Sequence, residues 1–475
     1  MVPGRPRMAV AVIRHPRAGT RPRRKGTFMD VPADVRYPMT SRVLDNGLRV
    51  VVSPTPGSGV VAVNLWYDVG SRHEQPHRQG FAHLFEHLMF QGSRHVKSGD
   101  HFALLQGHGG SLNATTSFDR TNYFEAMPAG VLDLALWLEA DRMAYLDDVL
   151  TQENFENQVD VVAQERSQRM DNVPYGTVFE KALPLIFDPE HPYGHLPIGN
   201  MQHLADATLA EVSAFHARHY MPSTAVLSIV GDVEESAAFA KVEVYFGHID
   251  GGEAPKRELP STLPPVGEKR RADFTEDVPA PAVWFASRLP ADTPESRELA
   301  AVELASAIVG DGETSRLHRR LVRQDEVALA AGMGINPLIA GNSLGLGSVR
   351  VVPGRDVDEV VSTVEEVLLT FATDGPTDGE LAVARAQAER DWLDDMGTAA
   401  GRADAISGCA MLYDDPDALN QRLPLLRSIT AAEVQEAAVT WLLPCLNAQV
   451  RITPVQKAAD AESEPTSVAD SDGDA

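Results

Sequence analysis

Cysteine is almost missing from this chain, with only Cys409 and Cys445 among 475 residues. Both sit in apolar contexts ("SGCAML" and "LLPCLN") far apart in sequence. That excludes a disulfide framework or a thiolate metal site and points to buried, reduced thiols. Long hydrophobic runs are missing too: no window reaches the roughly 18 consecutive apolar residues of a membrane span. Basic residues are scarce, with 42 Lys and Arg against 67 Asp and Glu, and the formal net charge is -25. Such a balance argues against nucleic acid as the main partner. It suits a basic or unfolded peptide as substrate, although a general solubility charge explains it equally well. What remains is ordinary for a soluble globular chain, 43% hydrophobic and 23% charged, and it is long enough for two or more domains.

The two ends differ from the middle. The first 29 residues hold eight Lys or Arg and no acid. "MAVAVI" is too short for the apolar region of a secretory signal, and "PRRKGTF" lacks the apolar stretch of a twin-arginine signal. Residues 1–35 therefore read as a disordered basic segment, with Met29 as an alternative start and a transit peptide as the minor reading. Beyond Lys457 come six acids and no base, so residues 456–475 read as a disordered acidic tail. A cytoplasmic location is the expectation.

Between the ends the pattern is globular. "NGLRVVV" reads as a turn followed by a strand, and "VVAVNLWYDVGS" as a second strand. Helical periodicity covers roughly 80–90, and "GDHFALLQGHG" is a second helical piece. "GGSLNATTSFDRTNYFEAMP" reads as two paired strands, followed by long helices near 129–148 and 151–171, and "STAVLSIVGDV" as a closing strand. The Gly-, Pro- and charge-rich run at 251–271 is the natural linker. Beyond it the order repeats in degraded form. "APAVWFASRLPA" and "NSLGLGSVRVVPG" are strands, and "ESRELAAVELASAIVGDGETSRLHRRL" is a helix, a turn and a helix. A duplicated α+β chain is expected, with domains at 36–250 and 272–455.

The first half alone carries chemistry. "QGFAHLFEHLMFQGS" places His83, Glu86 and His87 in an otherwise apolar helix. Positions i and i+4 share a helix face about 5–6 Å apart, so both imidazoles can reach one ion. Glu86 shares that face without having to bind, which suits a general base for metal-activated water. A lone His on such a helix is more often a satisfied core residue. The paired spacing with an intervening acid is rarer, about 0.03 chance occurrences at this His and acid content. A buried, unpartnered Glu would also cost several kcal/mol. A catalytic zinc normally has three protein ligands, so one more must come from elsewhere.

"HLFEH" is the inverted zinc motif H-x-x-E-H. With "GGSLNATTSFDRTNY", "ENQVDVVAQERSQRMDNVPYG", "HPYGHLPIGNMQHL" and "YMPSTAVLSIVGDV", the chain resembles the pitrilysin/insulinase family of zinc peptidases. Within it the closest likeness is to the mitochondrial-processing-peptidase-like branch and its bacterial two-domain members. The resemblance covers roughly residues 38–452 and is most specific in the first half. It implies two homologous α+β domains, each a mostly antiparallel sheet packed against helices, together forming half of a clamshell. It implies one Zn2+ per chain and a third ligand at Glu165 in "DVVAQE", 78 residues beyond His87. Many relatives carry another Glu where this chain has Gln158. Glu153, Glu156 and Asp160 read as solvated helix positions, and His73, His77, His191 and His195 as surface or turn histidines. By resemblance Asn113, Ala114 and Thr115 belong to an active-site edge strand that pairs with substrate backbone. The plain alternative is a core hairpin.

One departure bears on activity. Fully active members carry an Arg and a Tyr seven residues apart that bind the scissile carbonyl and help stabilise the oxyanion. The matching stretch "LVRQDEVALAAG" keeps Arg323 but has Ala330 at the Tyr position. The expected partners are therefore a peptide or unfolded protein substrate and a paralogous subunit supplying that pair, a homodimer being the variant. The leading function is a zinc endopeptidase. The alternatives are a non-catalytic scaffold of the same fold, as in respiratory-complex core subunits, and metal-dependent peptide capture without turnover.

Overall fold

The computed structural model describes residues 35–257 and 259–456. The basic N-terminal segment to residue 34 and the acidic tail from 457 lie outside them. In the first half the order is β1 (Thr40–Val43), β2 (Arg49–Pro54), β3 (Val60–Tyr67), α1 (Phe81–Leu88), α2 (Asp100–Gly107), β4 (Ser111–Thr116) and β5 (Thr121–Pro128). Then follow α3 (Leu132–Tyr145), α4 (Gln152–Arg166), α5 (Val178–Ile186), α6 (Met201–Ala205), α7 (Leu209–His219), β6 (Ala225–Gly231) and α8 (Glu235–Phe246). The second half opens with β7 (Arg270–Glu276), β8 (Ala282–Pro290), α9 (Arg297–Gly310), β9 (Ala328–Asn336) and β10 (Asn342–Val351). It closes with α10 (Val357–Asp374), α11 (Asp378–Met396), α12 (Ala399–Leu412), α13 (Ala418–Ser428), α14 (Ala431–Ala437) and β11 (Ala448–Pro454).

The two halves are built alike. The first sheet runs β1-β2-β6-β3-β5-β4 and the second β7-β11-β8-β10-β9. Apart from β1, each strand of one has a counterpart in the other. In each the single parallel pairing, β2 with β6 and β7 with β11, joins the first strand of the repeat to its last. All other pairs are antiparallel. In both halves a helix follows the second strand of the repeat, α1 in one and α9 in the other. The described residues between α8 and β7 form neither helix nor strand.

The central strands of each sheet are buried on both faces, which is why β3 and β8 read as apolar runs rather than alternating ones. On β3, Val61, Val63, Leu65 and Tyr67 point into the core shared with α1 and α3. Ala62 and Trp66 point the other way, onto Ala403, Ile406 and Ala410 of α12 from the second half. The second sheet shows the reciprocal arrangement. Ala282, Trp284 and Ala286 of β8 meet Val178, Ala182, Leu183 and Ile186 of α5, from the first half. The halves are thus joined by exchanged helices as well as by the connecting segment. A polar anchor completes the α12 contact: Asp404 accepts hydrogen bonds from Asn64 (3.0 Å), Trp66 (3.1 Å) and Asn122 (3.0 Å).

Candidate active site

Helix α1 forms where its sequence is apolar on nearly every side. Phe81, Ala82, Leu84, Phe85 and Leu88 are buried, and Phe85 stacks on Phe215 of α7 at 5.5 Å between ring centroids. His83, Glu86 and His87 occupy the remaining face. Helix α4, packed against α1, brings Glu165 across from them. His87 Nε2 lies 3.2 Å and His83 Nε2 3.6 Å from Glu165 Oε2. Donor atoms of all three lie within 4.8 Å of one another, and no other metal-ligating group of three occurs among the described residues. Two imidazole nitrogens and one carboxylate oxygen form a donor set that fits zinc, bound through such atoms at about 2.0–2.2 Å. The other Glu165 oxygen, Oε1, is held by Arg169 at 2.5 Å, one turn along the chain.

The charges of the cluster are interdependent. Burial, then neighbouring His87, push the His83 imidazole down to about 4, with Glu165 pulling the other way. A neutral imidazole is the form that ligates a metal. The hydrogen bond from His87 holds the Glu165 carboxyl below its ordinary range, against burial. Glu86 is shifted the opposite way: burial raises its carboxyl, opposed by the Thr116 hydroxyl and by His87. A carboxylate whose proton affinity is raised is a stronger base.

Spacing alone gave no sign of the groups that aim α1. Glu74, whose side chain is fully buried, accepts from the N–H groups of Gly80 and Ala82, both at 2.8 Å. It therefore caps the helix that carries the histidines, where a negative charge also meets the positive end of the helix dipole. His195 Nε2 sits 2.9 Å from the same carboxylate. His195 is thus not the spare surface or turn histidine expected from the sequence; it belongs to the support of α1. His73 is also part-buried: its Nδ1 accepts from the Gly70 N–H at 3.0 Å, and its ring lies 5.8 Å from that of His219. His191 stacks on Phe187 at 4.3 Å, while His77 is exposed. No local pattern marks Glu74, because its cap reaches forward six and eight residues.

The remaining expected residues fall as follows. Asn113, Ala114 and Thr115 lie on β4, the terminal strand of the first sheet, bonded to β5 on one side only. Asn113 and Thr115 are exposed and Ala114 is buried. The Thr116 end of the strand stands beside Glu86. Glu153, Glu156 and Asp160 are exposed on α4, whereas Gln158 is buried. Arg323 is more than half exposed and ion-paired with Glu313. Ala330 lies in β9, the topological counterpart of β4. Cys409 and Cys445 are both free, and burial pushes each thiol up to about 12. Among the described residues no helix is long and apolar enough to cross a membrane.

Comparison with known proteins bears on the family and the fold. A family model described as insulinase (peptidase family M16) matches residues 49–187, and the peptidase M16 inactive domain matches 206–388. The zinc protease PqqE of Helicobacter pylori is 31% identical over 292 residues, 61% of this chain and 65% of that protein. An uncharacterized zinc protease of Mycobacterium leprae is 30% identical over 345 residues, 72% of this chain and 75% of that protein. The β subunit of the Saccharomyces cerevisiae mitochondrial-processing peptidase is 26% identical over 212 residues, 45% of each chain. Among solved structures, a protease from Helicobacter pylori superposes with a TM-score of 0.80 at 26% identity. It covers 88% of this chain and 100% of its own.

Proposed function

This chain belongs to the insulinase family of peptidases, family M16, and from that premise we propose that it is a zinc-dependent endopeptidase acting on extended or unfolded peptides. The observation that carries the reading is the convergence of His83, His87 and Glu165 on one point, with Glu86 on the same helix face. His83, His87 and Glu165 would hold one zinc ion per chain, which when bound supplies the Lewis acidity that makes water deprotonate near neutral pH. Glu86 takes the proton from the attacking water and delivers it to the amide nitrogen that leaves. Asn113, Ala114 and Thr115 on the open edge of β4 pair with substrate main chain, which places a scissile bond beside Glu86 without reading side chains.

Ala330 leaves the oxyanion without its expected tyrosine, and the ion pair of Arg323 with Glu313 keeps that guanidinium at the surface. We therefore assign the chain as the zinc-bearing subunit of a pair, with a paralogue lacking H-x-x-E-H supplying the Arg and Tyr. The second reading, a scaffold subunit, rests on that same missing tyrosine. Four intact site residues weigh against it. The deciding experiment compares zinc content and peptide cleavage of wild type and Glu86→Gln, with and without the paralogue. The expected result is equal zinc and a loss of cleavage of about 100-fold or more in the variant. Zinc bound but no cleavage by wild type with the paralogue present would favour the scaffold. Cleavage by the lone chain that the paralogue does not raise would remove the subunit assignment.

A further inference from the structure

In a chain with a net charge of -25, one cavity of about 420 Å3 is walled by Arg49, Arg72, Arg218, Lys256 and Arg257 against a single carboxylate, Asp68. It lies where the starts of β2 and β6, the end of β3 and the end of α7 meet the connecting segment between the halves. Asp68 is already shared: Arg72 reaches it at 3.0 Å, Arg257 at 3.5 Å and His73 at 3.8 Å. Arg49 and Arg72 have further carboxylates outside the wall, Asp414 at 2.8 Å and Asp119 at 2.9 Å. Arg218 and Lys256 are exposed and form no ion pair among the described residues. The hydroxyl of Ser223 and Nδ1 of His219 are buried there without a hydrogen-bond partner among the described residues.

We propose that this cavity is a binding site for a multiply charged phosphate-type anion, a polyphosphate or a phosphate ester. Its wall offers guanidinium, ammonium and hydroxyl donors and almost no acceptor, so it is matched by an acceptor-only ligand. The Gly70 N–H occupies Nδ1 of His73 at 3.0 Å, which leaves the proton of the neutral ring on Nε2 and adds another donor. Asp68, Asp119 and Asp414 already serve Arg49, Arg72 and Arg257, so the charge left for an added anion is that of Arg218 and Lys256. The same field acts on the two histidines: burial and the neighbouring arginines keep His73 and His219 neutral, the latter down to about 4. The volume falls within the 300–1,000 Å3 or so of small-ligand sites. Arg257 donates to the carbonyls of Met411 (3.0 Å) and Leu412 (3.3 Å), and Arg49 to that of Ala410 (2.8 Å). An anion gripping these side chains ties the connecting segment and the end of α12 to the first sheet, and so stabilises the folded chain.

The test is calorimetric titration of the zinc-loaded full chain with sodium tripolyphosphate at low salt, beside the double variant Arg218→Gln/Lys256→Gln. Both side chains are exposed and form no ion pair among the described residues, so the fold tolerates their loss. Zinc chelation by the probe is the same for both proteins, so the difference between them reports this cavity. The expected result is saturable binding by wild type, weakened about tenfold or more in the variant and diminished by added sodium chloride. No saturable binding by wild type would overturn the proposal. Equal affinity in both proteins would overturn it too, since the anion would then sit elsewhere.

Discussion

At the scale of single residues, the site depends on groups that bind nothing themselves. His83 and His87 are one turn apart by sequence, so their shared face could be read from spacing. Glu165 could not be read that way, and only the family resemblance pointed to it. Glu74 was illegible altogether, since a lone Glu among "SRHEQP" looks like a loop acid. Burial makes it consequential. The carboxyl is raised by desolvation and held charged by His195 and by the two N–H groups of Gly80 and Ala82. Glu74→Ala leaves those donors buried and unpaired, at a cost of about 2–4 kcal/mol. The expected outcome is a lower melting temperature and weaker zinc binding, with Glu74→Gln recovering part of both. A calorimetric scan and a zinc competition titration check it. Unchanged zinc affinity in Glu74→Ala would show that the cap does not position the histidines.

At the scale of elements, α1 is placed by a close approach as much as by its own apolar face. Gly80, its N-cap, has φ 103°, and Gly199 opposite has φ 71°. A Cβ on Gly199 would lie 2.2 Å from Gly80 Cα, which is sterically forbidden. Gly57 has a similar φ of 78° but nothing within 4 Å, so it separates backbone strain from crowding. Gly57→Ala should cost about 1 kcal/mol, and Gly199→Ala clearly more, with loss of zinc affinity in the latter alone. Chemical denaturation of both variants measures the difference. Most strands of the first half were legible because branched residues and turn signals bound them. β9 and α12 were not. "ALAAGMGIN" has no alternation, and the Ala- and Gly-rich α12 shows no polar face because it is sandwiched against the other half's sheet. The exchange of α5 and α12 is a tertiary fact that no local period encodes.

At the scale of the whole molecule, duplication explains why chemistry resides in one half while both share one topology. The folded chain also buries ionisable groups, His101 and His219 among them. Burial pushes the imidazoles of His101 and His219 down to about 4, from an ordinary value near 6.5. Between those values the unfolded chain binds protons that the folded one refuses, so stability rises with pH through that window. It is complete above about pH 6.5 and lost progressively toward pH 4. Melting temperatures across pH 4–7 should therefore fall on acidification, and His101→Leu should flatten the fall. A flat wild-type profile would contradict this. The central claim remains that His83, His87 and Glu165 make this chain a zinc peptidase. Its most direct test is a stepwise zinc titration of the metal-free full chain, together with its paralogue, followed by cleavage of an unfolded peptide. The account predicts cleavage that rises with zinc and saturates at one ion per chain; cleavage that persists without zinc, or one bound ion and no cleavage, would contradict it.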